Sequence, residues 1–503
     1  MGCSGLRGRR RFGALAAAVL GLVLGPGPGP GPEARLALAG ETGPVRPSPQ
    51  QVGLPGPLRV SGPYFVDPSG RVILLRGINL AGDSKVPPFA PRVGPADLDR
   101  VADLGFNVIR LLFLWEAYEP SPGAYDEAYL ASVMAVAAEA ARLGVFTIVD
   151  FHQDGFSRHA SYGTGDGFPR WAVSPRGRPS APNNGPFSSD WPLMMALDPT
   201  THRSFADFFA DEHGVRSRYL LMISRVASSF VTIPGVIGYD LINEPWGHER
   251  RELAPLYRDA DAVIRAVHPS AILFLEGHVK TNTGIQTRLP RPDFGPVAYA
   301  PHYYNPSTIV LRHWHGLTAT MDLAFHHMTA TAAAWNSPLF VGEFGMDARV
   351  TGSGAYVEEV YNRLDAAFAS GAHWNLTPGW TEHLKDGWNG EDFSILDPSG
   401  RLRPNYRPRP YPRATAGEPT RFAFDRGSPR FKASTLEYDW IHHPDRGPTE
   451  IFVPRLVFPP GFPAEARAAD PSAIVSVWYD EAAQLLRIQT DRPTAVSLRA
   501  RAR

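Results

Sequence analysis

Between residues 58 and 405, apolar β-rich runs alternate with helix-like stretches, and the alternation repeats eight times. The runs fall at 72–80, 107–115, 146–153, 236–245, 272–277, 297–304, 339–345 and 372–380. They are mostly free of charge until their ends, as parallel strands covered on both faces should be. Helical patterns at 96–104, 127–143, 204–230, 251–267 and 355–370 separate several of them. Eight strands with intervening helices predict an α/β fold of the (β/α)8 barrel type. An open doubly wound sheet usually has fewer strands, and no phosphate-cradling glycine loop occurs. A break rich in proline and arginine follows at 404–419. Beyond it, short alternating runs at 430–438, 449–458, 473–479, 484–489 and 494–498 predict a C-terminal antiparallel β-sandwich, with Trp440 and Trp478 in its core. The expected domains are thus a barrel over 58–405 and a sandwich over 415–503.

Charge and composition exclude several functions. Lys and Arg together number 50 against 50 Asp and Glu, which argues against a nucleic-acid footprint. Four arginines within residues 7–11, an apolar run over 12–24 and Ala37-Leu38-Ala39 read as a secretory signal over 1–39, cleaved before Gly40. The run is too short to span a bilayer comfortably. The expected location is extracellular, reached by the general or the twin-arginine route. The one cysteine, Cys3, would leave with the signal, so the mature chain would hold no disulfide and no cysteine metal site.

Barrel chemistry collects at the C-terminal ends of the strands. Those ends carry Asn79, Asp83 and Lys85; Arg110 and Trp115; His152 and Asp154; Asn243 and Glu244; Glu276; His302 and Tyr304; Glu343; and Trp374. A lone polar residue at a strand end is usually a cap. So many carboxylates, imidazoles and aromatics at one barrel mouth are not, because burying charge is costly unless it is paired or used. Glu244, in Tyr-Asp-Leu-Ile-Asn-Glu-Pro, and Glu343, in Leu-Phe-Val-Gly-Glu-Phe-Gly, close runs four and seven, roughly opposite in an eight-strand ring. Facing carboxylates across a cleft are the minimal machinery of glycoside hydrolysis. A loop as long as 154–203 is usually functional or disordered, and Trp171, Trp191 and Leu193-Met194-Met195 within it favour an ordered pocket wall over a floppy insert.

Asn243-Glu244-Pro245, Glu343, Arg110, His302-X-Tyr304 and the strand-eight Trp374 resemble glycoside hydrolase family 5, a retaining (β/α)8 family. Asp150-Phe151-His152-Gln153-Asp154 and Lys385-Asp386-Gly387-Trp388-Asn389-Gly390-Glu391-Asp392 are similar to its endoglycoceramidase and endogalactosylceramidase subgroup, as is the trailing sandwich. The resemblance implies hydrolysis between an intact glycan and ceramide, with Glu343 as nucleophile and Glu244 as general acid/base. It also implies that Lys85, His152, Asp154, Asn243, Tyr304 and Trp374 contact the sugar, Asn243 at the 2-hydroxyl, and that Arg110, Tyr304 and His302 support Glu343. For Asn243 and Glu244 both to reach the site, a bulge or twist is expected there, since successive strand side chains alternate.

In a chain with four lysines, a lysine at position 85 could serve as a compact donor where a planar guanidinium would not fit; chance retention is the alternative. The chemistry that the resemblance implies needs no cofactor and no metal, and acts on a glycosphingolipid substrate at a membrane or micelle surface; no obligate protein partner is evident in the sequence. Reading His152, Asp154 and His302 as metal ligands is the alternative for those three. Phe156, Trp171, Trp191, Met194, Met195 and Trp246 are the candidates for a lipid groove, with packing of the loops onto the barrel the equal alternative for each. An endo-β-glucanase or mannanase of the same family, or a non-catalytic glycolipid-binding protein, are the competing functions.

Overall fold

All eight expected runs contribute a parallel strand in the computed structural model: β1 (Arg76–Leu80), β2 (Val108–Leu114), β3 (Phe146–His152), β4 (Val236–Asp240), β5 (Ile272–Leu275), β6 (Val297–Tyr299), β7 (Phe340–Phe344) and β8 (Ser370–Leu376). The structure describes residues 53–185, 190–428 and 432–503, with the backbone of Glu33–Arg35. The rest of the expected leader, Cys3 included, lies outside the described residues, as does the start of the run expected at 430–438. The sheet order is β6-β5-β4-β3-β2-β1-β8-β7. Parallel bridges from Tyr299 to Leu339 and from Tyr303 to Phe344 close the ring between β6 and β7.

Every second strand residue points into the barrel. Thus β2 turns Val108 and then Arg110 inward, and β3 turns Ile148, Asp150 and His152 inward. The lower interior is apolar: Val108, Ile148, Phe274, Phe340 and Ala372 pack against Phe65 and Leu75 from the segment preceding and opening β1. The layer above is charged and centred on Arg110. Core packing thus seals the bottom of the barrel and leaves the polar groups at the mouth.

The expected strand 72–80 is two strands in two sheets. Val72–Ile73 pairs with Tyr411–Thr415, and only Arg76–Leu80 enters the barrel. The sandwich sheet formed by 475–480, 485–490, 449–452 and 411–415 continues through 72–73 into the hairpin of Tyr64–Val66 and Arg59–Ser61, beneath the barrel. The second sheet pairs Glu33–Arg35, Ala464–Ala468, Thr494–Arg501, Thr435–His442 and Gly417–Asp425. Two of these strands, Tyr411–Thr415 and Gly417–Asp425, occupy the stretch that reads as a linker. Their prolines are accommodated by irregular pairing after Pro412 and after Pro419, the latter on an edge strand. Trp440 is core as expected, but Trp478 points outward, 39% exposed, because it falls on the solvent side of its strand's alternation. The helix expected over 204–230 is also two, Pro199–Phe209 and Val215–Phe230; Asp211, His213 and Gly214 between them have positive φ and end the first.

One buried ion triad ties barrel to sandwich. Asp365 accepts from Arg76 at 2.6 Å and from Arg409 at 2.5 Å, and all three are nearly inaccessible. Asp365→Ala would strand two guanidinium groups in the interior, and stability to urea should fall by about 3–5 kcal/mol. A midpoint within error of the parent would show that the triad contributes little.

Candidate active site

Arg110 gathers the carboxylates at the mouth. Its guanidinium lies 2.9 Å from Asp150 and from Asp240, 2.7 Å from Glu343 Oε1 and 3.4 Å from Glu276 Oε1. Burial disfavours the cation, but the four carboxylates outweigh it and hold the guanidinium firmly charged. Burial, with Asp150 adding to it and Arg110 opposing it, pushes Asp240 up to about 6.

Glu343 sits on β7 and meets a second donor, the Tyr304 hydroxyl, at 2.8 Å from Oε2. Glu244 lies beyond β4, past Asp240, where the chain has left the ladder. Its φ of 42° is left-handed, and this twist brings Asn243 and Glu244 to one cleft, as their side-by-side use requires. Gln153 braces the twist by donating to the carbonyls of Asn243 (2.5 Å) and Glu244 (3.2 Å).

The two glutamates present carboxylate oxygens within 4.8 Å of each other, with a nitrogen of His302 in the same group. His302 Nδ1 is 2.8 Å from Glu244 Oε1 and 3.6 Å from Glu343 Oε2, so it serves Glu244 more closely than the expected Glu343. Gly342 makes room for it: a Cβ there would stand 2.9 Å from Nε2. Burial raises the Glu244 carboxyl above its ordinary value; the His302 bond and charge oppose this, and the Glu343 charge adds to it.

Asn243 Oδ1 accepts from Arg110 at 2.8 Å, and Nδ2 donates to the Gln153 carbonyl at 3.0 Å. Its second N–H, 3.4 Å from Asp154, is the one able to turn to a sugar hydroxyl. Lys85 is only 2% exposed. Its ammonium is 2.5 Å from Asp154 and lies 4.5 Å and 3.9 Å from the rings of Trp374 and Trp388. The ammonium thus donates to Asp154 while resting against two indole faces, each attracted to its charge. His152 bridges Asp150 (2.7 Å) and Asp154 (3.3 Å) and stacks parallel to Trp374. Burial opposes its charge, but those carboxylates push it up to about 10.

Lys85→Met keeps the length of the side chain and removes its charged hydrogen bond. Such a bond contributes about 1.5–3 kcal/mol, so kcat/KM should fall roughly 10- to 100-fold. An unchanged value would place Lys85 outside substrate recognition.

The ten residues that the resemblance gives a catalytic, sugar-contacting or supporting role are brought together here, but other expectations change. His302 groups with Asp240 and Glu276, or with Glu244 and Glu343, and not with His152 and Asp154, so those three do not form one ligand set. Trp115 is core, packed on Phe168, Trp171 and Tyr219. Phe156 and Met195 are buried, and Trp171 donates to the Glu119 carbonyl, so these three pack the loop onto the barrel rather than line a groove. Trp246 stacks on His202. The loop after β3 does form a wall: Trp191 lies against Trp388 and donates to Glu391 at 2.9 Å. Sequence reasoning assigned no role to Gln153, Glu276, Trp388 or Glu391. Three of these stand inside the quoted motifs, and Glu276 closes run five.

A model described as cellulase (glycosyl hydrolase family 5) matches residues 66–379, and the glycoside hydrolase family 5 C-terminal domain matches 409–499. Endoglycoceramidase I of Rhodococcus hoagii is 29% identical over 435 residues, covering 80% of this chain and 81% of its own. Endo-glycoceramidase II from Rhodococcus sp., solved with ganglioside GM3, superposes with a TM-score of 0.73 at 26% identity, covering 87% of this chain and 99% of that one. The same enzyme is known as a lactosyl-enzyme intermediate, with a TM-score of 0.70 at 27% identity over 86% of this chain and 99% of that one. An endogalactoceramidase shares the fold, with a TM-score of 0.67 at 24% identity over 88% and 99% of the two chains. With a paired-glutamate cleft at the mouth of its barrel and both family regions matched in order, this chain belongs to glycosyl hydrolase family 5 and is a glycosidase.

Proposed function

We propose that this chain cleaves the β-glycosidic bond between an intact oligosaccharide and ceramide in glycosphingolipids, with retention of configuration. The observation that carries the chemistry is the approach of the Glu244 and Glu343 oxygens to within 4.8 Å. Retaining glycosidases hold their carboxyl groups about 5–5.5 Å apart, and inverting ones need roughly 6.5–9.5 Å to admit a water. Glu343 attacks the anomeric carbon while Glu244 gives its proton to the departing ceramide oxygen. The products of this half are a glycosyl ester and the free alcohol. With Glu343 esterified, the negative charge that adds to burial in raising Glu244 is gone. Glu244 then takes a proton from water, the hydroxide attacks the anomeric carbon, and the ester bond breaks to release Glu343.

The lipid aglycone is supported by the surface around the mouth. Tyr304, bonded to Glu343, is followed by Asn305, which caps the short helix Pro306–Leu311. Val310 and Leu317 of that loop are 79% and 69% exposed, and Leu193 and Leu197 of the loop after β3 are 54% and 58% exposed. Exposed apolar side chains on two mouth loops suit a membrane or micelle surface better than water. Endoglycoceramidases are relatives over most of the chain, which supports the same substrate.

Product analysis by mass spectrometry on glucose-linked and galactose-linked glycosphingolipids tests the proposal. Intact oligosaccharide plus ceramide is expected. Untouched lipids together with a shortened β-glucan or mannan would overturn the substrate and leave the family standing. Export is part of the same reading, supported by the arginine-rich start and the apolar run. The secreted chain should begin at Gly40, without the Glu33–Arg35 edge strand, as N-terminal sequencing would establish.

A further inference from the structure

Glu276 follows β5 directly, is 1% exposed and touches the Glu244 machinery at two points. Its Oε2 accepts the backbone N–H of Glu244 at 3.0 Å, the amide of the residue with left-handed φ. Its Oε1 lies 3.2 Å from His302 Nε2, and the other nitrogen of that ring lies 2.8 Å from Glu244 Oε1. The chain of contacts leaves Glu244 at its amide and returns to it at its carboxyl.

We infer that Glu276 is a positioning residue for the acid/base, fixing the Glu244 backbone directly and the Glu244 carboxyl through His302. The inference rests on the reading of Glu244 as acid/base. An imidazole with a carboxylate beyond each nitrogen is favoured as an imidazolium, with Nδ1 hydrogen-bonded to Glu244 and Nε2 held beside Glu276 as an ion pair rather than an aligned hydrogen bond. Burial works against that charge, but the Glu276 and Glu343 carboxylates and the bond to Glu244 hold His302 well above its ordinary range. Burial first, and Asp240 after it, raise Glu276 above its ordinary value, while the His302 and Arg110 charges pull it down.

The other groups facing Glu276 are accounted for. Arg110 on β2 is 3.4 Å away, and Asp240 on β4 is committed to Arg110. From the helix side the Tyr257 hydroxyl donates to the Glu276 carbonyl at 2.8 Å. Glu249 accepts the His278 N–H at 3.2 Å.

Glu276→Gln separates charge from shape. Glutamine offers an oxygen to the Glu244 N–H and an N–H to His302 Nε2, which then carries no proton. The ion pair becomes a neutral pair, so the summed charge stays at zero. What changes is the donor on Glu244, a neutral imidazole N–H in place of an imidazolium N–H. A weaker donor stabilises the carboxylate less, so Glu244 keeps its proton to higher pH.

The test uses two aryl β-glycosides of whichever sugar the enzyme turns over, independent of any lipid preference. A phenyl glycoside needs its leaving oxygen protonated, and a dinitrophenyl glycoside does not. For Glu276→Gln, the alkaline limb of kcat/KM on the phenyl glycoside should move upward by about one pH unit. The profile on the dinitrophenyl glycoside should stay in place. His302→Gln removes the imidazolium by another route and should move the limb the same way, which keeps the test alive if one variant does not fold. A limb that stays at the parent pH in a folded variant overturns the inference, since a purely structural defect lowers rates without moving it. Glu244→Ala runs alongside: an equal loss on both substrates would sink the acid/base assignment itself, whatever Glu276 does.

Discussion

Glu343→Ser should retain the fold and lose hydrolysis by about 10⁴-fold or more on every substrate, including dinitrophenyl glycosides. The loss corresponds to roughly 5 kcal/mol of transition-state stabilisation. The carboxylates beneath the cleft are engaged elsewhere: Asp150 and Asp240 are committed to Arg110, and Glu276 to Glu244 and His302. Serine also leaves Arg110 and Tyr304 in place, so product or inhibitor binding should survive within a few-fold. Ordinary turnover in a folded Glu343→Ser variant would remove Glu343 as nucleophile and with it the retaining mechanism.

Glu244→Ala should show a loss that depends on the leaving group. With a phenyl or ceramide aglycone the first half-reaction lacks its proton, and kcat/KM should fall by about 10²–10⁴-fold. With a dinitrophenyl aglycone kcat/KM should change little, and the glycosyl ester should accumulate because no base activates water. Azide, a nucleophile that needs no base, should restore turnover and yield a glycosyl azide of retained configuration. Loss of equal size on both substrates, or an azide product of opposite configuration, would remove Glu244 from the acid/base role. In the parent, the alkaline limb for poor leaving groups should lie above the ordinary carboxylate range. Burial and the Glu343 charge raise Glu244 while the free enzyme waits for substrate, and activity is present below that limb and lost above it.

The barrel was legible because its strands are hydrophobic on both faces and their ends carry the charge, a pattern that survives in one dimension. Glu244 and Glu343 were legible for the same reason, as each closes such a run. The N-terminal hairpin and the two proline-bearing strands after residue 410 were not. Val72–Ile73 and Tyr411–Thr415 pair across hundreds of positions, Ile73 sitting opposite Ala414, and the prolines that resemble a linker are tolerated at irregular and edge pairings. The aromatic residues of the loop after β3 misled, because packing onto the barrel and lining a groove require the same side chains. Burial decided between them for Phe156 and Met195 and the bond to Glu119 for Trp171, while Leu193 and Val310 are among the exposed apolar side chains of the mouth loops.

The sequence by itself determined the fold class through the alternation of its apolar runs, placed the two glutamates at the ends of such runs, and pointed to the family through the resemblance of its motifs. The tertiary structure alone decided which groups share protons. Whether Glu276 is a strand cap or a brace for Glu244 depends on distances of about 3 Å between β4, β5 and β6. The left-handed turn at Glu244 sets those distances, and the Gly342 backbone leaves room for His302 beside it. Charges interact through space, and spacing along the chain carries no record of it.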